Sequence, residues 1–278
     1  MKTVEPGSPA AGCRRGIREM TDSSVTKAMR KDWDERARKN AFHYIASWRR
    51  EWDDDSFFAS GEEDFARLVA PVLQRCGLPA SGGAMLELGC GAGRMTHSFA
   101  KRFERVYAFD LSPEMLRRAR TLHQEQSHIL WLLGNGADLS CIASGSLDFV
   151  FSYLVLQHLP EEALAFRYVH ELLRVLRPGG VFLFQFNGGL EPTMNLRGRA
   201  AWGIVDTLWS VGLRDMSRSV AGMFGFDPCA AGKSWRGAAI AAQSMKDSVR
   251  AAGGEVRELS GENTPMSWCC GVASGKQG

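Results

Sequence analysis

The run Leu86-Glu87-Leu88-Gly89-Cys90-Gly91-Ala92-Gly93-Arg94 constrains the fold more than any other stretch of this 278-residue chain. An apolar strand that begins at Ala84-Met85 enters three alternate glycines. A helical pattern then carries Met95, Phe99 and Ala100 on to Phe103. Val106-Tyr107-Ala108-Phe109-Asp110 follows, a second short apolar run closed by a carboxylate. Strand, glycine turn, helix, strand and acid make the mononucleotide-binding half of a doubly wound α/β sheet. Glycine lets the backbone turn tightly and approach a ligand, and an acid about 20 residues on is placed to accept hydrogen bonds from a ribose diol.

The glycine spacing narrows the ligand. A dinucleotide turn reads G-x-G-x-x-G/A, but here the third small-residue position holds the bulky Arg94. With Glu87 two residues ahead of Gly89, the string E-x-G-x-G-x-G resembles motif I of the class I S-adenosylmethionine-dependent methyltransferases. Asp110-Leu111-Ser112-Pro113-Glu114-Met115-Leu116 is similar to that family's acidic second motif and the helix after it. Ser112 can cap this helix, Pro113 suits its first turn, and Glu114 complements its positive end. Ile129–Leu133 reads as a third strand leading into the loop 134–139, and Ser146–Leu159 as the fourth-strand motif with a helix-like turn. Glu162–Leu176 is the next helix, ended by Arg177-Pro178-Gly179-Gly180, and Val181–Phe186 is a fifth strand.

The resemblance covers about residues 84–186. It implies a Rossmann-like doubly wound seven-stranded sheet whose last strand is antiparallel, with S-adenosylmethionine as methyl donor. It places the Gly89, Gly91 and Gly93 turn beneath the methionine and ribose, and Asp110 on the ribose hydroxyls. Leu111 and Met115 would flank the adenine. Asn135, Gly136 and Ala137 would bond its edge, Asn135 standing where the family commonly has an acid. Glu87 orients the turn or the ammonium end of the cofactor. Ser152 and Tyr44 complete the expected cofactor set.

Around this core the chain divides by composition. Residues 1–26 are rich in Gly, Pro, Ser and charge and read as a disordered leader. Residues 27–80 read as helical, with Trp33, Ala37, Ala41, Ile45, Trp48 and Trp52 at three- and four-residue steps, and resemble the lid of small-molecule methyltransferases. The three tryptophans read as staples of this helix to the sheet, whereas His43 and Tyr44 read equally as staple or as polar reach toward the cofactor. Glu62–Cys76 is expected as a further amphipathic helix. Residues 81–186 are the cofactor-binding core. Residues 187–236 carry an apolar helical insertion that reads as a substrate roof or a dimer face. Residues 237–278 supply a last helix, from Ala238 to Ala252, and the last two strands.

A net charge of +3 with no basic stripe argues against nucleic acid, and strands of five to seven residues are far short of the roughly 20 that span a bilayer. The first 30 residues lack an apolar signal core, and seven scattered cysteines read as reduced thiols, so the expected location is the cytoplasm. Cys269-Cys270 reads as either a soft-metal site or two neighbours on opposite faces of a terminal strand. The second reading is preferred, and no metal is expected.

The function implied is transfer of a methyl group to an O or N atom of a small molecule, by a monomer or homodimer. Such a displacement needs no base. If the acceptor must lose a proton, His158 after the fourth strand is the candidate, and its alternative role is to hydrogen-bond its own loop. Two other functions remain open: a non-catalytic protein that binds S-adenosylmethionine or S-adenosylhomocysteine as a sensor, and a nicotinamide-dependent oxidoreductase, which Arg94 fits poorly.

Overall fold

The computed structural model describes residues 24–275, apart from 50, 190–199, 202, 206, 209, 210, 212 and 225–236. Seven strands form one sheet in the order β3-β2-β1-β4-β5-β7-β6. They are β1 (Ala84–Leu88), β2 (Arg105–Asp110), β3 (Ile129–Leu133), β4 (Leu147–Ser152), β5 (Leu176–Phe186), β6 (Gly254–Ser260) and β7 (Ser267–Ala273). The first five pair in parallel, and β7 runs antiparallel to both β5 and β6. This is the expected sheet, and it reverses strand order at β1 beside β4, where open α/β sheets bind ligands.

Each face of the sheet carries its own packed layer, because successive strand residues point to opposite sides. On β4, Val150 joins Leu172, Leu173 and Val249 on one face. Phe149 and Phe151 join Phe99, Phe103 and Leu73 on the other. The first layer is built from α6 (Glu162–Val175) and α8 (Ala242–Ala251). The second is built from α3 (Ala70–Arg75) and α4 (Arg94–Ala100). Phe99 is wholly buried, its ring 5.1 Å from that of Phe151, and burying such a side chain stabilises by about 1.5–3 kcal/mol. Cys269 lies in the first layer and Cys270 in the second, so the pair does sit on opposite faces. Among the described residues no cluster of metal-ligating side chains occurs, and no helix is long and apolar enough to cross a membrane.

Several boundaries differ from the sequence reading. The first helix, α1, spans Ser24–Ile45, so it begins inside the expected leader, and Thr26 is already buried. It breaks at Asn40, whose Oδ1 accepts the His43 N–H at 3.1 Å and restarts the helix that carries Tyr44 and Ile45. The helix expected from Glu62 starts instead at Asp54, where the Asp53 side chain caps α2 (Asp54–Asp64), and continues through a π-turn (Phe65–Val69) into α3. Strand β5 begins at Leu176 and takes Arg177-Pro178-Gly179-Gly180 into the sheet, across a register shift between Leu147 and Phe149 of β4. Helix α8 starts at Ala242, four residues after the expected Ala238, because residues 237–241 carry no regular structure.

Most of the expected roof lies outside the described residues, Trp202, Trp209 and Phe226 among them. Its described part includes α7 (Arg214–Met223), with Val205 and Ala221 buried and Val211 and Met223 exposed.

Candidate active site

A cleft, about 810 Å³ when the solvent at its mouth is included, opens at the carboxyl ends of β1, β2 and β4. Its floor is Leu88 and Gly89 at the end of β1, Gly91 in the turn, and Phe109-Asp110 at the end of β2. Leu111 and Met115 form one side, with Gly136 beyond them. Tyr153, Leu154, Val155, His158 and Leu159 form the other, and Met29, Trp33, Tyr44 and Ile45 of α1 cross the top. A predominantly apolar wall with few polar groups has the character of a small-molecule site.

The turn after β1 is shaped by close backbone approach. Gly89 (φ 78°) and Gly91 (φ 55°) both occupy the left-handed region. A Cβ on Gly91 would stand 2.7 Å from Ile45 Cδ1, so α1 lies directly on the bare turn.

Asp110 holds that turn from β2. Its Oδ2 accepts the Gly91 N–H and its Oδ1 the Ser112 N–H, both at 2.8 Å. Burial pushes the carboxyl up to about 6, against the pull of these backbone amides. Each oxygen accepts one N–H and keeps further acceptor capacity, which the two hydroxyls of a ribose can fill. The residues therefore fit a ribose-bearing cofactor.

Helix α5 (Pro113–Leu122) starts at this acid. Ser112 Oγ caps it by accepting the Met115 N–H at 3.1 Å, which brings Met115 to the cleft. The same hydroxyl donates to Asp34 of α1 at 2.5 Å, and Asp34 also accepts the Glu114 N–H at 3.2 Å. Arg30 reaches Gly134 O at 3.1 Å. These bonds tie α1 over the sheet edge.

Of the sequence-expected residues, Gly89, Gly91, Asp110, Leu111, Met115, Gly136, Tyr44 and His158 line the cleft, and the others stand off it. Glu87 is buried beneath the turn, where it accepts the Thr96 hydroxyl at 2.5 Å, and burial raises its carboxyl to about 8. It supports the turn from below and lies off the cleft wall. Gly93 (φ 90°) is the N-cap of α4, and a Cβ there would meet His123 Nε2 at 2.5 Å. Its bareness serves helix packing.

Asn135 turns inward. Its Oδ1 accepts the Ala137 and Asp138 N–H groups at 2.8 and 3.0 Å, and its Nδ2 donates to Asp138 at 2.8 Å. This local turn uses the amide that was expected to read an adenine edge, and Ala137 is buried in the same loop. Ser152 is fully buried and donates to Leu88 O at 3.2 Å, joining β4 to β1. His43 bonds Arg49 O at 3.1 Å, away from the cleft.

The sequence reading missed most of the apolar wall. Trp33, read as a staple, lines the cleft, with its ring edge-on to that of His158 at 5.3 Å. Trp48 is largely exposed, and Trp52 bonds Ala46 O at 3.0 Å within the same segment rather than the sheet. Tyr168 of α6 reaches the wall, and burial pushes its phenol up. Nothing in helical spacing marks these residues as cleft-lining, since core and cleft share one apolar face. Arg94 pairs with Asp64 of α2 at 2.8 Å and is almost wholly buried, so the residue that breaks the dinucleotide pattern bolts α2 to α4.

The sequence profile of a methyltransferase domain matches residues 86–184. The chain is 36% identical over 137 residues to a trans-aconitate 2-methyltransferase from Azoarcus sp. (strain BH72), covering 48% of this chain and 50% of that protein. It is 37% identical over 130 residues to the malonyl-[acyl-carrier protein] O-methyltransferase of Serratia marcescens, covering 45% and 48%. The chain thus spans about half the length of these curated relatives.

Among solved structures, the magnesium protoporphyrin IX methyltransferase of Synechocystis PCC 6803 with bound S-adenosylhomocysteine superposes with a TM-score of 0.57 at 14% identity, covering 89% of this chain and 99% of that one. A putative methyltransferase in complex with the Haloferax volcanii Trm112 activator gives 0.56 at 17%, covering 90% and 99%. At these identities the likeness is one of fold. Residues 86–184 thus match a methyltransferase domain in sequence, and over most of its length the chain has the fold of these methyltransferase structures.

Proposed function

We propose that the protein transfers a methyl group from S-adenosylmethionine to an oxygen or nitrogen atom of a small organic acceptor. The observation that carries this reading is the half-buried Asp110 carboxylate, held beside Gly91 at the open edge of the sheet with acceptor capacity to spare. When bound, S-adenosylmethionine supplies an electrophilic methyl group on a good, neutral leaving group.

The remaining tasks fall to the chain. Asp110 holds the ribose diol while Gly89 and Gly91 admit the amino-acid portion close to the backbone. Leu111 and Met115 sandwich the adenine. The wall formed by Trp33, Tyr153, Leu154 and Leu159 excludes water and confines the acceptor in line with the methyl group. Alignment of this kind supplies on the order of 7–11 kcal/mol of a barrier. On the acceptor side, His158 lines the cleft against the ring of Trp33.

The test is incubation with methyl-labelled S-adenosylmethionine and a panel of small hydroxyl, carboxyl and amino compounds. Formation of S-adenosylhomocysteine with label in an acceptor supports the reading. Tight binding of S-adenosylmethionine with no transfer to any acceptor would favour the sensor function instead.

A further inference from the structure

One hydrogen-bonded chain of side chains runs from the interior of the sheet to the cleft. Gln185 is fully buried on β5. Backbone groups fix the orientation of its amide. Its Oε1 accepts the Leu154 N–H at 3.1 Å, and its Nε2 lies 3.0 Å from Phe186 O and 2.7 Å from Pro265 O. Turned over, the amide would set its NH₂ against a donor and its oxygen against two carbonyls. Gln157 Oε1 is a third acceptor, 2.8 Å from the same Nε2, and the two amide hydrogens are shared among the three oxygens. Gln157 must therefore keep its oxygen toward Gln185, which leaves its own Nε2 facing His158 Nε2 at 3.1 Å. An amide nitrogen only donates, so the imidazole Nε2 must accept through its lone pair, and the ring hydrogen resides on Nδ1.

We propose that Gln185 is a positioning residue that, acting through Gln157, fixes His158 as its Nδ1–H tautomer. The lone pair at Nε2 is committed to Gln157 and does not take a proton from the methyl acceptor. Gln185 has a second hold on the cleft, because the Leu154 N–H that it accepts belongs to a residue with φ 58°, in the left-handed region that disfavours a branched side chain. One buried amide thus sets both the loop that carries Leu154 and the form of the histidine beside it. The consequence for methyl transfer rests on the function proposed above; the tautomer itself does not.

Ring nitrogen spectra of the full-length protein, ¹⁵N-labelled at histidine and recorded near neutral pH, test this directly. The signal of His158, identified by its loss in His158→Asn, is expected to show a protonated Nδ1 and a bare Nε2. Gln157→Glu is expected to invert the pattern, because a carboxylate accepts from both Gln185 Nε2 and His158 Nε2–H. Gln185→Leu, which removes the orienting amide at similar volume, is expected to give a mixture of the two tautomers. A protonated Nε2 in the unsubstituted protein would overturn the proposal, as would a folded Gln157→Glu variant with unchanged ring shifts. Should either glutamine variant fail to fold, the unsubstituted spectrum still decides. S-adenosylhomocysteine binding, measured on the same samples, reports separately on the methyl-transfer reading: an Nδ1–H histidine in a protein that ignores this ligand keeps the tautomer and removes the function.

Discussion

Residues that the motif groups together do different physical jobs. Asp110 and Glu87 are both acids near the glycine turn, but half-buried Asp110 faces the cleft and buried Glu87 faces Thr96 beneath it. For Glu87 this has a consequence for stability. Its carboxyl rises from the usual 4.5 to about 8, chiefly through burial, so the folded state holds this proton more tightly than the unfolded state does. Folding stability from this group is therefore present below about pH 4.5 and is lost as pH rises toward 8. Glu87→Gln keeps an acceptor for Thr96 but cannot ionise. Thermal unfolding of this variant is expected to lose less stability between pH 5 and 8 than the unsubstituted protein, by up to about 1.4 kcal/mol per pH unit. Parallel stability curves for the two proteins would refute the assignment.

Local chemistry also decides which residue roles were legible in the sequence. Ser112 was readable as a cap because cap and helix are neighbours in the chain. Asn135 was not, because its nearest donors, the Ala137 and Asp138 amides, satisfy it before any ligand does.

At the scale of elements, the contact that matters is α1 on the glycine turn. Leu88, Gly89 and Gly91 come from the sheet side, and Met29, Trp33, Tyr44 and Ile45 from α1, so neither element makes the cleft alone. Sequence periodicity showed that a helix precedes the sheet but not where it docks, since the ties through Asp34 and Arg30 join residues about 80 to 104 positions apart. Gly91→Ala places a methyl group 2.7 Å from Ile45 Cδ1 at a left-handed backbone position. Its stability cost is about 1 kcal/mol, because the far end of the isoleucine can move. The larger effect expected is weakened binding of S-adenosylhomocysteine, as the Ile45 end of α1 lifts from the turn. Calorimetric titration of the variant checks this, and unchanged affinity would show that α1 does not close on the cofactor.

For the whole molecule, the seven-stranded order was legible because each parallel strand announces itself as a short apolar run between glycine or acid punctuation. The start of β5 was not, because Arg177-Pro178-Gly179-Gly180 has the composition of a helix stop yet enters the sheet through a shifted register. The apolar cleft wall was illegible for a different reason: Trp33, Leu154 and Tyr168 differ from core residues only in facing a void that exists once the chain is folded. The half-fold and its acid could be read from sequence, whereas the enclosure around them is a tertiary property.

The central claim is that this enclosure holds S-adenosylmethionine through Asp110. The most direct test is calorimetric titration with S-adenosylmethionine, S-adenosylhomocysteine and NAD, for the unsubstituted protein and for Asp110→Ala. Both sulfur ligands are expected to bind and NAD to give no heat. Affinity should fall as pH drops through about 6, where Asp110 takes up its proton and stops accepting from the ribose. The alanine variant removes two charge-assisted hydrogen bonds of about 1.5–3 kcal/mol each, a loss of at least about a hundredfold in affinity. Binding of NAD, or of none of the three, would contradict the account.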